Sequence, residues 1–427
     1  MIVESLRSGA WLTDLRVRRI AICSALLISL GFALEIWLHL HGVPKPHSHQ
    51  LVNFPIGEDF SNFWSGSALA LKGEAAHVFD LSAFLAFEHS HLPPFLQFRW
   101  YAYPPVALLL TLPLAILPYL TAYAVWLAAG AALCVLLLRR HLSWPMAIAA
   151  AVFTPASFIN AVAGQNGAFS AAIIAGALLL LAERPLIAGL LIGLLSFKPH
   201  LALLFPVALI AVRRWDAFVA AALGCVLLIA ASAVVFGSDV WRHYLEVAPM
   251  NRPIMELGKL PDIAPPDPGT AKTLIITFWN RMPTIFAAAR EMGGGIALSY
   301  ALQLVSARLA AASVWLGWRR TNDPELRGAI FIFATLAATP YAWDYDLIML
   351  SFAAVWLWTR GKRLGFLPYE KSAIAFLFAS TMISAAVIRL LHVPIMQIAI
   401  WLSLCLTLQQ VYRVRTQTVT APEPAPA

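Results

Sequence analysis

Apolar positions in this chain come in long uninterrupted runs, not in one-sided stripes or in alternation. Twelve runs stand out: 20–40, 105–138, 144–162, 167–182, 186–197, 200–212, 217–236, 296–317, 328–341, 346–359, 372–389 and 394–411. A helix rising about 1.5 Å per residue crosses a bilayer core in roughly 20 apolar residues. The pattern therefore predicts an all-α polytopic membrane protein with about 12 transmembrane helices. The stretch 104–138 is too long for one straight span and is broken by Pro113 and Pro118, which predicts a re-entrant or interfacial piece followed by one full helix. Runs 186–197 and 200–212 are short for a bilayer and are expected to be shielded by neighbours or to line a cavity.

Short basic clusters punctuate the runs: Arg16/Arg18/Arg19, Arg139/Arg140, Arg213/Arg214, Arg319/Arg320, Arg360/Lys362/Arg363 and Arg413/Arg415. Positive loops stay in the cytoplasm, so an even number of crossings separates each pair. This frame predicts a cytoplasmic N-terminus over 1–19, a single transmembrane domain over 20–411 and a disordered cytoplasmic tail over 412–427. Both termini are then inside, and the outer loops are 41–103 and 237–293. The first run follows basic residues but has spanning length and no small-residue cleavage site, so it reads as an uncleaved helix. Composition agrees: 60% of the 427 residues are hydrophobic and 12% charged, with a mean hydropathy of +0.74. The net charge of +8 is topology signal, not a nucleic-acid footprint, because the basic residues fall between the spans. Cys23, Cys134, Cys225 and Cys405 each lie inside an apolar segment with no metal-like spacing, which predicts neither disulfide nor structural metal.

With that topology, five polar clusters share the outer side. They are Gly57–Trp64 with Glu58, Asp59 and Asn62; Arg99–Pro105 with Tyr103; Gly164–Gly167 with Gln165 and Asn166; Phe197–His200 with Lys198; and Pro340–Asp346 with Asp344, Tyr345 and Asp346. Independent loops have no reason to agree in this way, so one outer site is the economical reading. After Asp59, the spacing of Phe60, Phe63, Trp64, Ala68 and Leu71 predicts an amphipathic helix on the outer surface, stopped at Lys72-Gly73. Asp59 either caps this helix or does chemistry. Lys198 inside a helix would cost about 3 kcal/mol and is expected at a polar cavity, holding an anionic head group with His200 nearby, or snorkelling to the interface. Asp344 and Asp346 stand at i and i+2, which weakens a paired-metal site and leaves capping of the 346–359 helix as the plainer alternative. His-x-His pairs at 39/41, 47/49 and 89/91 carry no fixed geometry, so no metal site is assigned. The carboxylates leave a divalent cation open and no other cofactor is indicated.

The order of these motifs resembles glycosyltransferase family 87. An aspartate-aromatic segment is followed by Tyr103-Pro104-Pro105, Gly164-Gln165-Asn166, Lys198-Pro199 and a late Trp343-Asp344 pair. The resemblance covers about residues 55–360. It implies the GT-C superfold and transfer of a sugar, typically mannose, from a polyprenyl-phosphate donor to a lipid or glycan acceptor outside the cytoplasm, in the plasma or inner membrane. It places the catalytic acid at Asp59. The late motif departs from the family's histidine-rich form, reading Trp343-Asp344-Tyr345-Asp346 here. Asp59 is then the expected general base, and Lys198, helped by His200 or Arg99, the neutraliser of the leaving phosphate. Glu58, Asn62, Tyr103, Gln165, Asn166, Asp344, Tyr345 and Asp346 are the expected substrate-binding residues. The alternative is a transporter or flippase of lipid-linked or anionic substrates, which calls for broken helices and deep charges. Basic residues Arg242, Arg252, Lys259, Lys272 and Arg281 in the second outer loop also suit a diphosphate-dependent polymerase or ligase.

Overall fold

The computed structural model describes residues 2–41, 43–44, 51–52, 56–92, 100–258 and 278–419. Arg99, the histidines at 47 and 49, and Lys259 and Lys272 lie outside the described residues. The described chain is helical apart from a two-residue antiparallel pairing of Val43–Pro44 with Leu51–Val52.

Among the described residues, six helices are long and apolar enough to cross a membrane: Asp14–His41, Tyr119–Leu138, Trp215–Phe236, Ile296–Arg320, Glu370–Leu391 and Ile395–Tyr412. The pair Trp144–Val152 and Pro155–Ala163, bent by 58° at a short break, makes a seventh if taken as one span. The remaining apolar runs fold as shorter helices. The 104–138 stretch forms Pro105–Thr111, a 3-10 turn over Leu112–Ile116 and, after Pro118, the long helix from Tyr119. The last helix runs on to Val419, past the boundary expected at 411.

Length and position are related in this bundle. Pro324–Ala338 and Met349–Leu364 are short, yet residues 328–339 are all buried. They form the centre, and the 296–320, 395–419 and 167–180 helices pack around the first of them. A helix buried all round needs no polar face, which is why these segments read as featureless apolar runs. The longer helices stand outside: Asp14–His41 buries no residue at all and leaves Leu26, Leu27 and Leu30 exposed. In a protein whose solvent is lipid, such exposure is the stable arrangement.

The Phe60–Leu71 helix differs from its expectation. It starts and stops where the spacing placed it, with Lys72 at its C-terminus and Gly73 at a positive φ of +82°. It is not an amphipathic surface helix: Phe60, Ser61, Phe63 and every residue from Ser65 to Ala70 are buried. Its small residues let neighbours close on the side meant for water. Ser67 donates to the Thr111 hydroxyl at 2.9 Å, and the Trp64 indole N–H donates to the Leu117 carbonyl at 3.0 Å. The Ser67 hydroxyl is thus satisfied inside the protein.

Candidate active site

Pro185–Leu194 continues as a 3-10 turn to Phe197, breaks at Lys198 with φ −142° and ψ 62°, and resumes at Pro199. Pro199 removes a backbone donor and forbids continuation of the helix, so the lysine is held at the break. The break faces a cavity of about 360 Å³, within the range of roughly 300–1,000 Å³ usual for small-molecule sites. Glu58, Asp59, Asn62, Tyr103, Gln165, Lys198, His200 and Tyr345 line it, so five separate stretches of chain supply expected site residues to one space.

Two glycines make the convergence possible. Gly164 adopts φ +64°, and a Cβ there would stand 2.5 Å from the Phe60 Cβ and 2.7 Å from the Gly57 carbonyl oxygen. The 164–166 turn therefore presses against the 57–60 segment, which no side chain at 164 would allow. A Cβ at Gly167 would meet the Tyr345 carbonyl oxygen at 2.3 Å, so the 344–348 turn docks directly on the start of the Gly167–Leu180 helix.

These approaches build a chain of polar contacts. Asp59 does not cap its helix through its side chain; its Oδ2 accepts a bond from Gln165 Nε2 at 2.9 Å. The Gln165 Oε1 in turn accepts from the Tyr103 hydroxyl at 3.0 Å and from the Asn166 backbone N–H at 3.3 Å. Lys198 Nζ donates to Asn166 Oδ1 at 3.0 Å and pairs with Asp346, whose other oxygen accepts the Trp343 N–H at 3.1 Å. The lysine and Asp346 side chains are 2% and 0% exposed. Lys198 is thus already neutralised, which differs from the expectation that it waits for an anionic head group. Asn62 also turns elsewhere, donating to the Trp100 carbonyl at 3.2 Å, so it does not orient Asp59.

Asp344 points away from Asp346 and binds Arg281, with Nε to Oδ2 at 2.9 Å and Nη2 to Oδ1 at 3.3 Å. The two acids serve different cations, as their i, i+2 spacing suggests. Asp344 Oδ1 also accepts the N–H of Tyr345, at 3.0 Å. Among the described residues no three His, Cys, Asp or Glu side chains gather as metal ligands. Burial raises the Asp344 carboxyl above its ordinary value, and the guanidinium opposes the rise. Burial alone would lower Arg281, but Asp344, Asp59 and Glu58 together hold it firmly protonated.

Several contributors escaped the sequence reading as site residues. Arg281, Phe278, Tyr244 and Asn251 all come from the second long loop and line the cavity. Tyr341 and Trp343 add aromatic walls, with Trp343 stacked over Tyr345 at 6.3 Å and 7° between planes, and His200 edge-on to Tyr341 at 5.6 Å. The aromatic–basic run Phe278-Trp279-Asn280-Arg281 carried the signal for Arg281.

Residues 101–340 match the pattern of glycosyltransferase family 87 over more than half of the chain. The chain belongs to that family. It is therefore a membrane glycosyltransferase, and the transporter alternative gives way, although broken helices of the kind a transporter uses are present. The match contains Tyr103, Gln165, Asn166, Lys198 and Arg281 of this family 87 transferase. Asp59 and the Trp343–Asp346 segment fall outside the matched range, and what ties them to it is the contact geometry. No curated protein and no solved structure matches the chain.

Proposed function

We propose that this transferase moves a mannosyl group from a polyprenyl-phosphate donor to a lipid or glycan acceptor, with Asp59 as general base. The observation that carries the reading is the Asp59 carboxylate: its side chain makes no helix cap, it lines the cavity and a glutamine anchored by Tyr103 holds it. In this reading the protein is a GT-C-type bundle of about 12 crossings in the cell membrane, both termini inside and the cavity at the extracytoplasmic face. The basic clusters support that orientation.

Chemically, the acceptor O–H gives its proton to Asp59 as the oxygen attacks C1 of the donor sugar from the face opposite the phosphate. The C1–O bond to phosphate breaks, and its electron pair stays on the phosphate oxygen. The products are the inverted glycoside, a protonated Asp59 and a polyprenyl phosphate with one more negative charge. Such charge development is stabilised best by fixed cations in a water-poor site. Lys198, neutralised by Asp346, adds no net charge to the wall. Trp100, Tyr103, Tyr341 and Trp343 offer the flat faces on which a sugar ring packs.

The test is reconstitution of the full chain with radiolabelled polyprenyl-phosphate mannose and a membrane lipid extract. Asp59→Asn should lower turnover by about 10²–10⁴-fold, the usual worth of a positioned base, while the variant stays folded. Equal product from both would demote Asp59 without touching the family assignment. Exchange of mannose for other sugars on the same carrier reads donor identity.

A further inference from the structure

A second, smaller cavity of about 60 Å³ lies behind the first, between the 280–283 segment and the Glu370–Leu391 helix. Arg281 lines both cavities; Asp344 lines the smaller one. The outer wall of this second space is formed by Thr381, Met382 and Ala385 of a membrane-crossing helix, and Met382 is 71% exposed. The smaller cavity is therefore walled by a helix with an exposed, membrane-facing side, and the Arg281–Asp344 pair stands between that helix and the larger cavity. This pair is more open than the one at Lys198, at 37% and 16% side-chain exposure.

From this geometry we infer that Arg281 is the residue that takes the phosphate of the lipid-linked donor, exchanging Asp344 for it, and that the polyprenyl chain passes to the bilayer beside the 370–391 helix. The inference rests on the polyprenyl-phosphate reading above. A guanidinium held two-pronged by a carboxylate presents the same fork to a phosphate, so the exchange requires no new geometry. It also puts the cation that meets the leaving group at Arg281 rather than at Lys198, which Asp346 already neutralises. When the C1–O bond breaks, the electron pair arrives on a phosphate oxygen next to this guanidinium. A prenyl chain leaving through the membrane side keeps its apolar surface in lipid throughout.

The test measures binding of sugar-free polyprenyl phosphate to the full chain in detergent micelles, with a long chain and a short soluble one, alongside turnover of the mannosylated donor. Arg281→Ala should weaken phosphate binding about 10- to 100-fold for both chains, the loss expected for a charged hydrogen bond, and Arg281→Lys should fall in between. Asp344→Asn removes the competitor and should bind as tightly as wild type or more tightly; a structural pair would instead weaken on either side. Ala385→Trp should raise the KM of the long-chain donor several-fold more than that of the short one. Unchanged affinity in Arg281→Ala, equal weakening in Asp344→Asn, or an Ala385→Trp effect independent of chain length overturns the inference. Wild-type protein that binds no polyprenyl phosphate at all overturns the donor reading beneath it, a result distinct from all three.

Discussion

The Met349–Leu364 helix has a buried polar network near each end, and the two are built differently. Beyond its C-terminal part, Arg360 donates to Asp323 at 2.7 Å and to Gln410, and Gln410 bonds Glu370, which accepts the Leu367 N–H at 2.7 Å. Arg363 forks onto Glu325 at 2.6 and 3.2 Å. These charges close on one another and knit the ends of four helices together. At the N-terminal end, Asp59, Gln165, Tyr103, Asn166, Lys198 and Asp346 form one chain of contacts and Arg281 with Asp344 a separate pair, both around a cavity. The difference teaches what separates a fastening from a site: both satisfy buried charge, and only one leaves room beside it.

Three substitutions probe the contrast beyond those at Asp59 and Arg281. The largest effect is expected at the closed end, where Arg360→Met strands Asp323 and Gln410. Loss of one partner from a buried pair costs about 3–5 kcal/mol, so thermal unfolding in detergent should fall sharply while the protein that stays folded keeps its donor KM. A comparable drop in kcat for folded protein would mean that the two ends are coupled.

Next comes Gln165→Leu, which frees the Asp59 carboxylate from its anchor. Turnover should fall about 10- to 100-fold, in line with a charged hydrogen bond of roughly 1.5–3 kcal/mol, with donor KM nearly unchanged and unfolding temperature close to wild type. A shift in KM alone would make Gln165 a binding residue rather than a positioning one. The smallest effect is expected at Lys362, whose pair with Asp14 at 2.8 Å is about half exposed on both sides. Lys362→Ala should change stability by less than about 1 kcal/mol, and a larger loss would extend the closed network out to the N-terminal helix.

Much of the fold could be read from the residues because the bilayer imposes a coarse code. Long apolar runs and prolines at breaks located the apolar helices, and the spacing after Asp59 located the stop at Lys72-Gly73, whereas Ile2–Ser8, Leu81–His91, Ser238–Val247, Asn251–Leu257 and Ile285–Glu291 carried no such run. What escaped was packing. Serines and a glycine on the 60–71 helix signalled a wet face, yet small polar residues also let helices approach and bond each other, and sequence spacing does not distinguish the two. At the site, the five polar clusters line one cavity, with Tyr103 bonded to Gln165 and Lys198 paired with Asp346. Which acid pairs with which cation was not legible, and Arg281 was one of six lysines and arginines in a long loop.

By itself, then, the sequence determined the solvent of this protein, the order of its helices and the segments that carry its chemistry, since each follows from local composition. The tertiary structure alone decided the partners. Asp59 to Gln165, Lys198 to Asp346 and Arg281 to Asp344 join residues far apart in the chain. Such contacts depend on how closely backbones approach at Gly164 and Gly167, a property of two surfaces together that neither segment encodes alone.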